Sequence, residues 1–339
     1  MIRASCWSLA IALLCGCSPI TYQTRSVQVQ QLPAHPLPAG ATYAVVVPST
    51  SVGAAQLIDN IRIPGFGKAT TPESATVTIE ANVGQATIAD LKMESGTVQR
   101  VISSGGPSEY TAYSYHGEVV IPSVLRISTK SQGALVTYDL PNRSSLNFDT
   151  DPASNQRFTD PSSLESSFNQ TRPGLLSKAT IAEVQRLQSL ASSTLIDQFT
   201  SRQETITLSL ATEHKNDPRF AQGANAFAQA VVGQTSDATG LATRLEPALA
   251  IWQQIATSPV GDDDQERAAA KGAALYNQAV GWFLLDRLDD AERGAIASQG
   301  LGVEARTVNS LTYRIHDRRQ RVSAQHTSTE PVGTPKATP

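Results

Sequence analysis

Cysteine is nearly absent from this chain of 339 residues: the three present, Cys6, Cys15 and Cys17, all fall within the first 17 positions. Everything downstream can form no disulfide and offers neither a thiol nucleophile nor a cysteine metal ligand. Its stability must come from its core. An excess of one charge is lacking too. With 27 basic and 30 acidic side chains and a net charge of -3, there is no basic stripe of the kind that grips nucleic acid. The five histidines, His35, His116, His214, His316 and His326, stand far apart and in no ligand spacing. A His-Glu-x-x-His motif, a Gly-x-Ser-x-Gly elbow and a phosphate-cradling glycine loop are all missing. Gly65-Phe66-Gly67-Lys68 lacks the spacing and the following hydroxyl of such a loop, and reads as a surface turn. No cofactor, metal site or catalytic residue is implied, although carboxylate hydrolases carry no local signature.

What is present begins at the N-terminus. Arg3 is the only charge before Arg25, and a short apolar run, Leu9 to Leu14, leads into Cys15-Gly16-Cys17-Ser18. A basic start, a short apolar stretch and small residues at a cleavage point make an export signal. The apolar run falls short of the roughly 20 residues that a membrane-spanning helix needs. Leu14-Cys15-Gly16-Cys17 resembles the lipobox of bacterial lipoproteins. That resemblance implies cleavage before Cys17, lipidation of its thiol and stable membrane attachment through more than one acyl chain. Ser18, where an Asp would retain the protein at the inner membrane, implies sorting to the outer membrane, on its periplasmic or surface face.

The rest divides by pattern. Residues 1–16 are the signal peptide, and 17–41, polar and then proline-spaced, read as an extended tether. Residues 42–148 read as a mostly antiparallel β domain, from alternating runs such as Val77, Ile79 and Ala81 and the Tyr- and Val-rich Tyr113 to Ile121. Leu125 and Ile127 face Leu135, Val136 and Tyr138 across a hairpin in which Gly133 is placed for positive φ. Residues 149–173 are a loop or linker. Residues 174–323 are helical, with one strand-like stretch at Glu204 to Leu210, and 324–339 form a polar, disordered tail. The fold class is therefore α+β.

Within Asp262-Asp263-Asp264, the spacing of a calcium loop is missing. Asp263 with Glu266 three residues later fits a helix-capping box instead. The cluster Arg314, Arg318, Arg319 and Arg321 sits near the end of the last helix, where basic residues complement the helix dipole, contact with anionic head groups being the other reading. His116 and Glu118 on one strand face share a side and form the best polar pair, more structural than catalytic in character.

The clearest motif runs from Ala274 to Glu292, with Tyr276-Asn277, the small residues Ala279 and Gly281, the aromatic Trp282, and Ala291 in a second helix. It resembles one tetratricopeptide repeat, departing from the pattern at Asp286, where a turn glycine is usual, and in lacking the closing proline. Leu245 to Ile255 resembles the second helix of a preceding repeat whose first helix spans Arg219 to Val232. The resemblance covers about 100 residues and implies stacked helical hairpins. The whole-chain layout resembles envelope lipoproteins that join a β-rich region to such helices, which implies a non-catalytic binding or scaffold module meeting an envelope protein partner through exposed Tyr276, Asn277 and Gln278. The other readings are a hydrolase of cell-wall or surface polymer, and a complex subunit whose β edge pairs with a neighbour.

Overall fold

The computed structural model describes residues 20–102, 105–139, 141–232 and 238–329. They fall into two units that interleave along the chain: Pro36–Thr200 form one, and the residues up to His35 together with those from Ser201 onward form the other.

The discontinuous unit starts with strand β1 (Ile20–Gln31). The β-rich unit then contributes β2 (Thr42–Val46), helix α1 (Ala54–Asn60), β3 (Gly67–Lys68), β4 (Val77–Val83), β5 (Thr87–Ile102), β6 (Gly105–Ile121), β7 (Ser123–Thr129), β8 (Gly133–Asp139), β9 (Asn142–Phe148) and α2 (Pro161–Phe199). The discontinuous unit resumes with β10 (Arg202–His214), α3 (Arg219–Val231), α4 (Ala238–Thr257), α5 (Asp264–Leu284), α6 (Leu288–Gln299) and α7 (Ala305–Thr329). The chain is α+β, strands first and helices after, as its patterning predicts.

In the β-rich unit, β4 and β7 bury every second residue, the period of a strand with one face on the core. They pair antiparallel at the centre of a five-stranded sheet ordered β3-β2-β4-β7-β8. The β7–β8 hairpin turns on Gly133 at φ 73°, and its register sets Leu125 opposite Tyr138 and Ile127 opposite Val136. Two pairings, β2 with β3 and β2 with β4, are parallel. The connection through α1 makes this possible, since a parallel pair needs a crossover. A second sheet, β5-β6-β9, is antiparallel throughout.

Helix α2 covers this core with Leu164, Phe168, Val184, Leu187, Ala191 and Leu195. Its start cuts the loop or linker expected at 149–173 back to 149–160. Asp160 caps the helix by accepting from the Ser163 N–H at 2.9 Å, and Pro161 occupies the first turn, where a missing N–H costs nothing. Pro173, the last residue of that expected loop, lies inside the helix. Residues 174–199 therefore belong with the β-rich unit and not with the C-terminal helices.

Glu183 of α2 is a buried carboxylate that accepts from Arg186 at 2.6 and 2.7 Å and from Asn142 of β9 at 2.6 Å. Burial pushes its pKa up, but hydrogen bonds from Arg186, Ser123 and Asn142 outweigh that and hold it below the ordinary glutamate value. A depressed folded pKa gives stability that is present above the unfolded value of about 4.3 and is lost as pH falls through the folded one. Acid unfolding of the chain should accordingly lose part of its pH dependence below about pH 4 in Glu183→Gln. Melting curves for both proteins across that range check this, and equal slopes would count against the clip.

The tether expected at 17–41 is also corrected. Ile20–Gln31 pairs along its length with β10, Val27 opposite Ile206 and Gln31 opposite Arg202. Its Thr, Gln and Ser residues face water on one side, while Ile20 and Val27 enter the core of the helical unit. The strand-like stretch 204–210 is thus real, but it pairs with β1 and not with the central β sheets. At the other end, residues 324–329 of the expected tail are the last turns of α7. Residues 1–19, on which the expected signal and Cys17 fall, and residues 330–339 lie outside the described residues.

Candidate functional site

The C-terminal helices pack in succession: α3 on α4, α4 on α5, α5 on α6 and α6 on α7. Small residues bring them close, as the motif suggests. A Cβ on Gly281 would stand 2.7 Å from Leu249 Cδ2, and one on Gly294 would stand 3.1 Å from the Trp282 ring. The α5 N-terminus is capped as predicted: Asp263 accepts from the Glu266 N–H at 2.7 Å, while Glu266 accepts from the Asp262 N–H at 2.7 Å. At the α5–α6 turn, Asp286 adopts φ 57°, in the left-handed region that favours glycine. Its carboxylate is gripped by Arg318 Nε and Nη2 at 2.7 and 2.8 Å, which helps offset the strain.

That grip is part of a latch that corrects the reading of the arginine cluster. Helix α7 runs on to Thr329, so these residues are not in its last turn. Arg318 also donates to the Gln30 carbonyl at 2.6 Å, and Arg321 donates to the Leu32 carbonyl at 2.8 Å and to Asp317. Arg319 donates to Asp289 and Glu292, and His316 meets Glu292 at 2.7 Å. These contacts tie α7 to the start of α6 and to the end of β1. Hydrogen bonds from His316 and then Arg319 hold the Glu292 carboxyl below its usual range.

Tyr276, Asn277 and Gln278 are not on an exposed face: all three are buried, with relative exposures of 2 %, 0 % and 2 %. Helix α5 is central, packing on α4, α6, α7, β1 and β10. Consecutive helical residues point about 100° apart, so the three side chains leave in three directions. Asn277 meets β10, where its Oδ1 accepts from the Ala211 N–H at 2.9 Å and its Nδ2 donates to the Ala211 carbonyl at 2.8 Å. A side-chain amide thus stands in for a neighbouring strand, next to the irregularity where Tyr22 pairs with Ala211 and Thr21 with Glu213.

Gln278 points toward α4, donating to Gln253 Oε1 at 2.7 Å. Its own Oε1 is buried and has no hydrogen-bond partner. Beside it opens a groove of about 680 Å³. One stripe of α4 (Thr243, Glu246, Ala250 and Gln253) forms one wall, and Leu249, Trp282 and Leu285 supply apolar surface. Arg287 stands 5.7 Å over the Trp282 ring at the rim. This is the mix that binding sites use: apolar surface with a few polar groups that fix orientation.

Tyr276 lines a second, smaller cavity of about 330 Å³ walled by β1, β10 and the first turns of α7. Burial pushes the Tyr22 phenol up to about 12 and raises Tyr276 as well. Both are neutral at ordinary pH, so Tyr276 is available as a hydrogen-bond donor.

The other polar candidates are dispersed. His116 Nε2 lies 2.8 Å from Ser114 Oγ and 3.8 Å from Glu94, while Glu118 pairs with Arg143 at 2.8 Å; the strand sets the two on one face without joining them. His214 is sealed in, stacked on Phe220 at 5.6 Å, accepting from the Asn216 N–H and lying 3.6 Å from Glu266. Sequence spacing gave no sign of this meeting, because His214 and Glu266 are 52 positions apart. Among the described residues no group of His, Cys, Asp and Glu could hold a metal ion, and no helix is long and apolar enough to cross a membrane. No family model matches the chain, nor does any curated protein or solved structure.

Proposed function

We propose that this chain is a lipid-anchored envelope lipoprotein, attached through Cys17 at the outer membrane, that binds a partner protein in the groove between α4 and α5 and catalyses no reaction. The observation that carries the binding half is the groove itself. It offers Trp282 and Leu249 to an apolar side chain, with Glu246 and Gln253 beside them as polar partners. The stacked helical hairpins supply the rigid frame such a site needs, and the lipobox supplies the address.

Two measurements test this. Palmitate should label the protein and bring it to the outer-membrane fraction, and both should vanish in Cys17→Ala; unlabelled, soluble protein in both forms would remove the anchor. A photoreactive amino acid at Glu246, on the groove wall, should give a discrete adduct in intact envelopes. The bulky Ala250→Trp, at an exposed position, should block it by filling the groove. An equal yield of the same adduct from exposed Ile296, which lies outside the groove, would sink the binding site.

A further inference from the structure

Five arginines lie on α7, and their bonding divides them. Arg318, Arg319 and Arg321 are committed to carboxylates and carbonyls of the same unit. Arg306 and Arg314 make no ion pair or hydrogen bond among the described residues, and these two line the cavity beside Tyr276. Tyr276 is 2 % exposed, forms part of the cavity wall, and its phenol likewise has no protein hydrogen bond among the described residues. The remaining wall is rich in hydroxyls: Thr24 of β1, Thr207 and Ser209 of β10, and Ser310 of α7.

We propose that this cavity binds an anionic sugar, meaning an oxyanion carried on a small hydroxylated ring. Guanidinium groups without an internal partner match a carboxylate or phosphate in charge and fork geometry. Hydroxyls both donate and accept, which suits the hydroxyls of a ring better than a wall of donors alone would. Arg306 and Arg314 are eight residues apart, about 12 Å along the helix axis, so a ligand must reach across the hydroxyls to meet both. A bare inorganic ion is too small to do this. Glu304 also lines the cavity and lowers its net charge to that of one cation, which favours one acidic group over several. The cavity shares no lining residue with the α4–α5 groove, so the two sites stand or fall separately.

The test is calorimetric titration of the full chain with glucuronate, glucose 6-phosphate, glucose and inorganic phosphate. One of the two acidic sugars should saturate the protein at least about tenfold more tightly than glucose or phosphate, the gain expected of a charge-assisted contact. Which of them binds tells whether the acidic group is carboxylate or phosphate. Arg314→Gln should weaken that binding by about tenfold, and Tyr276→Phe, which keeps the ring and removes only the donor, by roughly three- to tenfold. Arg293→Gln, a surface change outside the cavity, should leave it unaltered, and thermal melting should find every variant folded, Arg306→Gln included. The proposal is overturned if neither acidic sugar saturates by about 10 mM, a weak limit for a specific site. Phosphate binding as tightly as glucose 6-phosphate, or an affinity unmoved in both Arg314→Gln and Arg306→Gln, would overturn it equally.

Discussion

Replacing Asn277 by Ala is expected to lower the unfolding free energy by about 2–5 kcal/mol, because two buried backbone groups lose their partners at once. Asn277 and Ala211 are both fully buried, so water cannot take over the lost bonds. The amide makes both bonds to one residue, accepting from its N–H and donating to its carbonyl. Asn277→Asp separates the two roles. An ionised carboxylate can still accept from Ala211 N–H but repels its carbonyl, whereas the protonated acid can donate. The Asp variant should therefore be destabilised at neutral pH and recover part of the loss as the solution is acidified. Urea unfolding at two pH values measures this, and an Ala variant as stable as the parent would show that the clip carries no weight.

The second large effect is expected at Gly223, where two contributions oppose each other. Alanine is favoured over glycine inside a helix by up to about 1 kcal/mol. At Gly223, however, the new Cβ would stand 2.4 Å from Trp252 Nε1, and the indole is fully buried, with the Phe227 ring tilted against it at 5.8 Å. Overpacking of this kind costs about 1–3 kcal/mol, so the clash wins and Gly223→Ala destabilises the helical unit. The loss should shrink in a Trp252→Phe background, which removes Nε1, the nearest of the clashing atoms. Gly174 is the control: it lies inside α2 with nothing within 4 Å of an added Cβ. Gly174→Ala should stabilise by about 0.5–1 kcal/mol through propensity alone. Thermal and urea unfolding of the set decides the matter, and a stabilised Gly223→Ala would mean that the close approach is not rigid.

Much of the architecture was legible because it is local. The alternation in Val77, Ile79 and Ala81, the glycine at position 133, the cap at Asp263 and the helical spacing around Trp252 and Trp282 each depend on residues a few positions apart. The structure bears out each of these. The missed elements had weak or misleading local signals. β1 is dominated by Gln, Thr and Ser and runs into a proline-rich stretch, so it resembles a spacer until β10 is beside it. The start of α2 is Ser- and Asn-rich, and Pro173 imitates a boundary that the helix passes through.

The candidate site was half legible. The motif around Tyr276-Asn277-Gln278 marked the right helix, but repeat geometry suggested an exposed concave face, and here that position is filled. One strand pair, β1 with β10, and α7 pack against α5. What the sequence by itself determined is the α+β order of elements, the capping and turn residues, and the lack of any thiol beyond position 17. These follow from chemistry carried within a short window of chain. Only the tertiary structure decided that residues 20–31 are a strand, that Asn277 is a backbone clip, and that two arginines of α7 are left unpaired beside a cavity while three are latched. Each of those depends on which distant segments meet, as Ala211 meets Asn277 across 66 positions. Burial is set by such meetings and not by any residue's neighbours along the chain.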